Sequence, residues 1–400
     1  LATSSDNNLV NNTANSNGVN GIFIGFGSDN NILTSNTANS NIHAGIFLFT
    51  DTDDGPTNNT LISNTANANN DTGIASSQSS NNTFVNNTVS LNIVKGISLD
   101  ANSNNNTVIS NNASLNYQYG IFTYNSTRNN ISNNLVNLNN NSGIFLSTSS
   151  GNLVAENTIE NNTYYGLALW NISNNNILTS NIANLNNNYG IYLESSSNNT
   201  LTGNTANSNN NNGIYLYISS NNNTLTSNTA NSNGENGFFI VYSSNNTLTS
   251  NNASLNDGVG ILLYSNAINN LLVRNTVSSN NDYNLALAVG SDNNTLNSNV
   301  FSYVINSYLG VTADSLGNNM TNTTFLEGNG SVRYPQTLAI DPATNVTNTN
   351  MVLAFNRTYL NSSAVEFLNA SAIITLDNLN LTLPQMLVDP QDDGSFEVCS

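Results

Sequence analysis

The stretch "SNNTLTGNTANSNNNNGIYLYISS", residues 197–220, decides how the whole chain is read. By composition it is a polar, nearly uncharged tract, and such tracts favour disorder. Yet its few apolar residues sit at fixed intervals, and the intervals recur. One asparagine returns at 12, 36, 64, 87, 111, 134, 157, 181, 204, 228, 251, 275 and 299, in steps of 23 or 24 residues with one step of 28. Five residues after each stands another asparagine, failing only at Val304. Nine after each stands a glycine, replaced by Asn284 and Tyr308 in the last two units. All variation in length falls between that glycine and the next unit. The arc that holds Ser196 is therefore expected to contain a tolerant loop.

Apolar residues follow the same frame. Leu9, Leu33, Leu201 and Leu248 stand three before the asparagine, Ala14 and Ala206 two after it, and Ile22, Ile46 and Ile261 directly after the glycine. Three short alternating clusters per unit read as three strands, and no run has the ten or more amphipathic residues a helix would need. The fold expected is all-β: a right-handed parallel β-helix of about 13 coils, one per repeat, whose hand follows the crossover rule. Coils would stack about 4.8 Å apart. At that spacing Asn36, Asn64, Asn87, Asn111, Asn134, Asn157, Asn181, Asn204, Asn228, Asn251 and Asn275 would form an amide ladder along the axis. The glycine column is expected to mark a left-handed corner.

The β-helix is expected over 1–312, followed by an end coil or linker at 313–327. A small antiparallel, sandwich-like β domain is expected at 328–400, where Pro335, Pro342, Pro384 and Pro390 and runs such as "SAIITL" replace the repeat. The chain opens directly into repeat sequence, which suggests a piece of a longer precursor. A lone cysteine, Cys399, has no partner within the chain.

The signature "NNTLTSNTANSN" followed by "NGIYLY" resembles the parallel β-helix repeats of NosD-like, carbohydrate-binding and sugar-hydrolysing proteins. It is most similar to the Asn/Ser/Thr-rich versions in surface proteins of archaea, methanogens above all. The resemblance spans about residues 1–310. It implies the fold and leaves activity open.

Charge excludes some functions. Twenty-three acids face five bases, Lys95, Arg128, Arg274, Arg333 and Arg357, giving a net charge of −18. Neutralising phosphate with so few cations is untenable, so nucleic acid is excluded. No run of about twenty apolar residues is present to insert into a membrane. Polysaccharide cleavage wants clustered carboxylates, whereas Asp100, Glu156, Glu160 and Glu194 fall in different coils. Catalysis is not expected. Copper handling would want several soft ligands, and His43 reads as a solvated loop residue.

Three candidate sites remain. Asp51, Asp53 and Asp54 in "TDTDDGPT", within the long unit, could offer oxygen ligands to calcium. Sequons place candidate glycan acceptors at Asn58, Asn81, Asn105, Asn198, Asn222, Asn245 and Asn293. The residues two and four after each glycine should point outward, and they include Phe23, Phe47, Phe49, Phe122, Tyr124, Phe145, Trp170, Tyr192, Tyr215, Tyr217, Phe239 and Tyr264. A continuous aromatic face of this kind marks a binding surface. Three readings compete: packing against another copy of the chain, cross-coil aromatic pairing that stiffens the sheet, and stacking on sugar rings; its phenylalanines favour a dry protein contact over sugar. The expected function is thus a non-enzymatic extracellular structural protein, a self-assembling subunit of a surface layer, sheath or filament that carries N-glycans. The alternative is a polysaccharide-binding or polysaccharide-degrading β-helix.

Overall fold

The computed structural model describes all residues except 52–54, 329, 355–356, 362, 377–386, 389–396 and 399–400. The chain forms about thirteen coils of parallel β-solenoid, divided between two compact units, Leu1–Gly234 and Glu235–Ser400. No helix among the described residues is long and apolar enough to cross a membrane.

In the first unit each coil contributes two regular strands. A short one is centred on the leucine before the ladder asparagine, as in Thr200–Thr202, and a longer one follows the glycine, as in Ile191–Glu194. Each pairs in parallel with its equivalent one coil on: Leu178 with Leu201, and Ile191 with Ile214. The third expected strand shrinks to a single bridge per coil, such as Ile182 to Thr205. In the second unit it lengthens to three residues, as in Asn252–Ser254 paired with Thr276–Ser278. Inward residues stack like on like. Leu201, Ala206, Leu193 and Ile214 are fully buried, so the core is one side chain deep on each wall. Each buried leucine or isoleucine contributes about 1.5–3 kcal/mol.

The asparagine ladder is present and more extensive than expected. Asn181 donates its backbone N–H and its Nδ2 to Asn204 Oδ1, at 3.0 and 2.9 Å, and its Nδ2 also reaches Val154 O at 2.8 Å. The asparagines five residues later repeat the arrangement, with Asn186 bonding Asn209. A third column runs five residues earlier, through Asn129, Asn152 and Asn176. A fourth column is serine: the N–H of Ser173 donates to Ser196 Oγ, and that of Ser196 to Ser220 Oγ. Ser196 is buried, so it is not itself one of the tolerant positions of its arc. Length varies one step earlier. Asn171 and Ile172, both left-handed at φ 52° and 64°, precede Ser173, whereas Ser195 alone precedes Ser196.

The glycine column has a different cause from the one expected. None of Gly21, Gly45, Gly73, Gly96, Gly120, Gly143, Gly166, Gly190 and Gly260 has positive φ. What these positions lack is room. A Cβ on Gly190 would meet Asn209 Nδ2 at 2.6 Å, Ala206 Cβ at 2.8 Å and Gly213 O at 2.8 Å. Glycine is required because the second ladder passes directly over it. Gly190→Ala is expected to destabilise the first unit by about 1–3 kcal/mol, read as a lower denaturation midpoint. An unchanged midpoint would show that the ladder yields freely.

The second unit also explains two departures from the repeat. Where Val304 ends the second asparagine column, Asn284 takes the glycine slot and receives Asn280 Nδ2 at 3.1 Å. The strand Asn319–Glu327 pairs in parallel with Thr295–Asn297 and Val300–Ser302, and antiparallel with Gly330–Ala339. It overlaps the segment expected as an end coil or linker, and it is the rung on which parallel and antiparallel pairing meet. Gly330–Ala339 then pairs with Ile373–Leu376, and Met351–Ala354 with Arg357–Leu360, both antiparallel. Tyr308, in the last glycine slot, is buried against Phe325.

Candidate functional site

Parallel register sorts the outward residues after each glycine into two columns. Through the middle of the first unit, the second-residue column runs Phe122, Phe145, Ala168, Tyr192, Tyr215. The fourth-residue column runs Tyr124, Ser147, Trp170, Glu194, Tyr217. The aromatic face is therefore not continuous. Ala75, Ser77, Ser98 and Asp100 interrupt it, separating a patch of Phe23, Phe47 and Phe49 from the central cluster. Phe239 and Tyr264, in contact at 6.1 Å, belong to the second unit.

Nor is it uniformly exposed. Phe145 and Tyr192 are only 9% and 5% exposed, whereas Trp170 is 41% exposed. Tyrosines just before the glycines supply the cover. Tyr119 packs on Phe145 at 5.2 Å, Tyr165 on Tyr192 at 4.6 Å and Tyr189 on Tyr192 at 5.4 Å. Sequence reasoning had missed this second row. Its signal was the tyrosine next to the glycine at Tyr119, Tyr165 and Tyr189.

Between the rows lies a hollow of about 600 Å³. Rings of Tyr119, Phe122, Tyr124, Phe145, Tyr164, Tyr165, Trp170 and Tyr192 line it, with Asn141, Ser147 and Glu194 as its polar side chains. A small side chain makes the space: Ser147 stands between Tyr124 and Trp170, whereas Ala168 is packed beneath Phe145 and Tyr192. The Tyr192 hydroxyl donates to Glu194 Oε2 at 2.7 Å. Burial, then this hydrogen bond and charge, hold the Tyr192 hydroxyl well above the ordinary tyrosine range, so it stays protonated. Glu194, set aside on sequence because it does not stack with another acid, thus lines the hollow beside aromatic rings, with its Oε2 held by the Tyr192 hydroxyl.

Near this cluster Lys95 Nζ pairs with Asp100 Oδ2 at 3.1 Å and lies 4.1 Å over the Phe122 ring. Burial raises the Asp100 carboxyl above its ordinary range, and Lys95 opposes that rise. His43 is engaged on both sides, with Nε2 3.1 Å from Asp71 Oδ2 and Nδ1 2.8 Å from Asn20 Oδ1.

Asp51 is exposed, and Asp53, Asp54 and Cys399 lie outside the described residues. The seven sequon asparagines all lie exposed at one corner with φ between 55° and 59°, each just before an asparagine of the third ladder.

The sequence matches the family described as "Right handed beta helix region" over residues 54–183 and 172–301. No curated protein matches it significantly. Among solved structures, the mannuronan C-5 epimerase AlgE6 A-module of Azotobacter vinelandii aligns at 15% identity, covering 75% of this chain and 91% of that one, with a TM-score of 0.61. A point variant of the periplasmic alginate epimerase AlgG aligns at 14% identity over 75% of this chain and 77% of its own, with a TM-score of 0.53. The receptor-binding domain of the siphovirus 9NA tailspike aligns at 10% identity over 86% and 82%, with a TM-score of 0.57. These likenesses concern the fold. They overturn the expectation of a non-enzymatic sheath or filament subunit, because solved chains that share this architecture are polysaccharide epimerases.

Proposed function

The chain belongs to the right-handed β-helix family, and on that premise we propose that it acts on polysaccharide outside the cytoplasm. The observation that carries this reading is the aromatic hollow: rings on both sides, and a carboxylate and amide within it. Sugar rings present C–H faces that stack on aromatic rings and hydroxyl edges that hydrogen-bond to polar side chains. A glycan strand lying in the hollow would meet both, with Trp170 as the exposed stacking surface. Glu194 is the group able to take or return a proton on the bound strand. Its Oε2 is held by Tyr192, and its Oε1 has no partner among the described residues.

The test is affinity electrophoresis of the purified chain through gels cast with a panel of soluble polysaccharides. The same mixtures are then analysed for new reducing ends, unsaturated products and epimerised residues. Retardation by at least one polymer is expected, and turnover, where found, should vanish in Glu194→Gln. Unretarded migration through every polymer would overturn the proposal.

A further inference from the structure

We infer that the hollow takes a neutral polysaccharide and rejects uronate polymers. This rests on the reading of the hollow as a polysaccharide site, and it sets this chain apart from the alginate and mannuronan epimerases that share its fold. A uronate strand carries one carboxylate per residue. Holding it in a partly dry site requires a cation close to each carboxylate, because an unpaired charge loses its hydration there.

The hollow has none. No lysine or arginine is among its lining residues, and its one charged group is Glu194. Lys95, which lies over the ring of the lining residue Phe122, is committed. Its ammonium is bonded to Asp100 and lies over the Phe122 ring, and it is largely buried. Freeing it would leave Asp100, itself poorly solvated, without its cation. At longer range the chain's net charge of −18 adds repulsion that salt only partly screens. What the hollow offers instead suits an uncharged sugar. Aromatic rings provide stacking surface, and the tyrosine hydroxyls, Asn141 and Ser147 provide neutral hydrogen-bonding groups.

The experiment is isothermal titration of the full chain with a soluble neutral glucan, a soluble neutral mannan, alginate and polygalacturonate, at about 50 mM and about 500 mM NaCl. At least one neutral polymer should bind about tenfold or more tighter than either uronate, with little change in Kd between the two salt concentrations. Glu194→Gln should narrow that gap by raising uronate affinity several-fold. Uronate binding equal to or tighter than neutral binding at low salt would overturn the inference while leaving the polysaccharide reading intact. So would a gap that Glu194→Gln leaves unchanged. Failure of all four polymers to bind would instead count against the polysaccharide reading itself.

Discussion

Replacing Asn181 with leucine is expected to destabilise the first unit by about 2–6 kcal/mol. The wild-type amide performs three jobs at once. Its Oδ1 accepts the backbone N–H and the Nδ2 of Asn157, at 3.1 and 2.9 Å. Its Nδ2 donates both to Asn204 Oδ1 and to Val154 O. Leucine has the same branched skeleton with bulkier methyl groups, and it can neither accept nor donate. The Asn157 N–H and the Val154 carbonyl each lose a partner in a place water does not reach, at about 1–3 kcal/mol per group. In a unit of this size that corresponds to a melting temperature lower by roughly 5–20 °C. Thr200→Ser, on an exposed strand position one coil on, is the control. Ser196→Ala should fall between the two, because it removes the acceptor for the Ser173 N–H and a donor to the Glu194 carbonyl but leaves the asparagine ladders intact. Equal melting of the Asn181 and Thr200 variants would sink the ladder as a stabilising element.

The second large effect concerns the shape of the hollow. Ser147→Tyr is expected to abolish glycan retardation while leaving the melting temperature nearly unchanged. Position 147 lies in register between Tyr124 and Trp170, both outward-facing aromatics, so the backbone already presents large rings there. A tyrosine would occupy the hollow without disturbing the core. Trp170→Ala removes the exposed stacking surface and should weaken binding about 30-fold, the equivalent of roughly 2 kcal/mol for a central tryptophan. The pair of variants separates two geometries. A flat aromatic platform would gain area from the added tyrosine and bind more tightly, whereas a hollow must lose affinity. Tighter binding by Ser147→Tyr would overturn the hollow as the glycan site.

The fate of Ser196 shows where sequence reading stopped. Outside the one long unit, the length of the arc between glycine and the next unit varies by one residue, and periodicity alone spreads that variation over the whole arc. In the folded chain it is confined to one or two left-handed residues at the strand's end, as at Asn171 and Ile172. Immediately afterwards the serine column restores register by accepting a backbone N–H from the previous coil. A buried hydroxyl and a solvated one look alike in a polar sequence.

The sequence by itself determined everything that repeats. Once residues 23 or 24 apart are stacked one strand spacing apart, like must lie on like: leucine on leucine in the wall, asparagine on asparagine at the bends. Periodic chemistry thus determines periodic structure, down to the one place where Val304 ends the second ladder and Asn284 receives its last amide. Only the tertiary structure decided what breaks the repeat. Whether Phe145 is exposed depends on Tyr119, which stands at the start of the preceding coil's strand Tyr119–Tyr124 and packs across onto it. The hollow exists because Ser147 lacks a ring between two coils that carry Tyr124 and Trp170 at the same position. Such a site is a local absence framed by unequal neighbours. Its depth follows from how the side chains lean across coils, and the position of a residue within its repeat does not encode that.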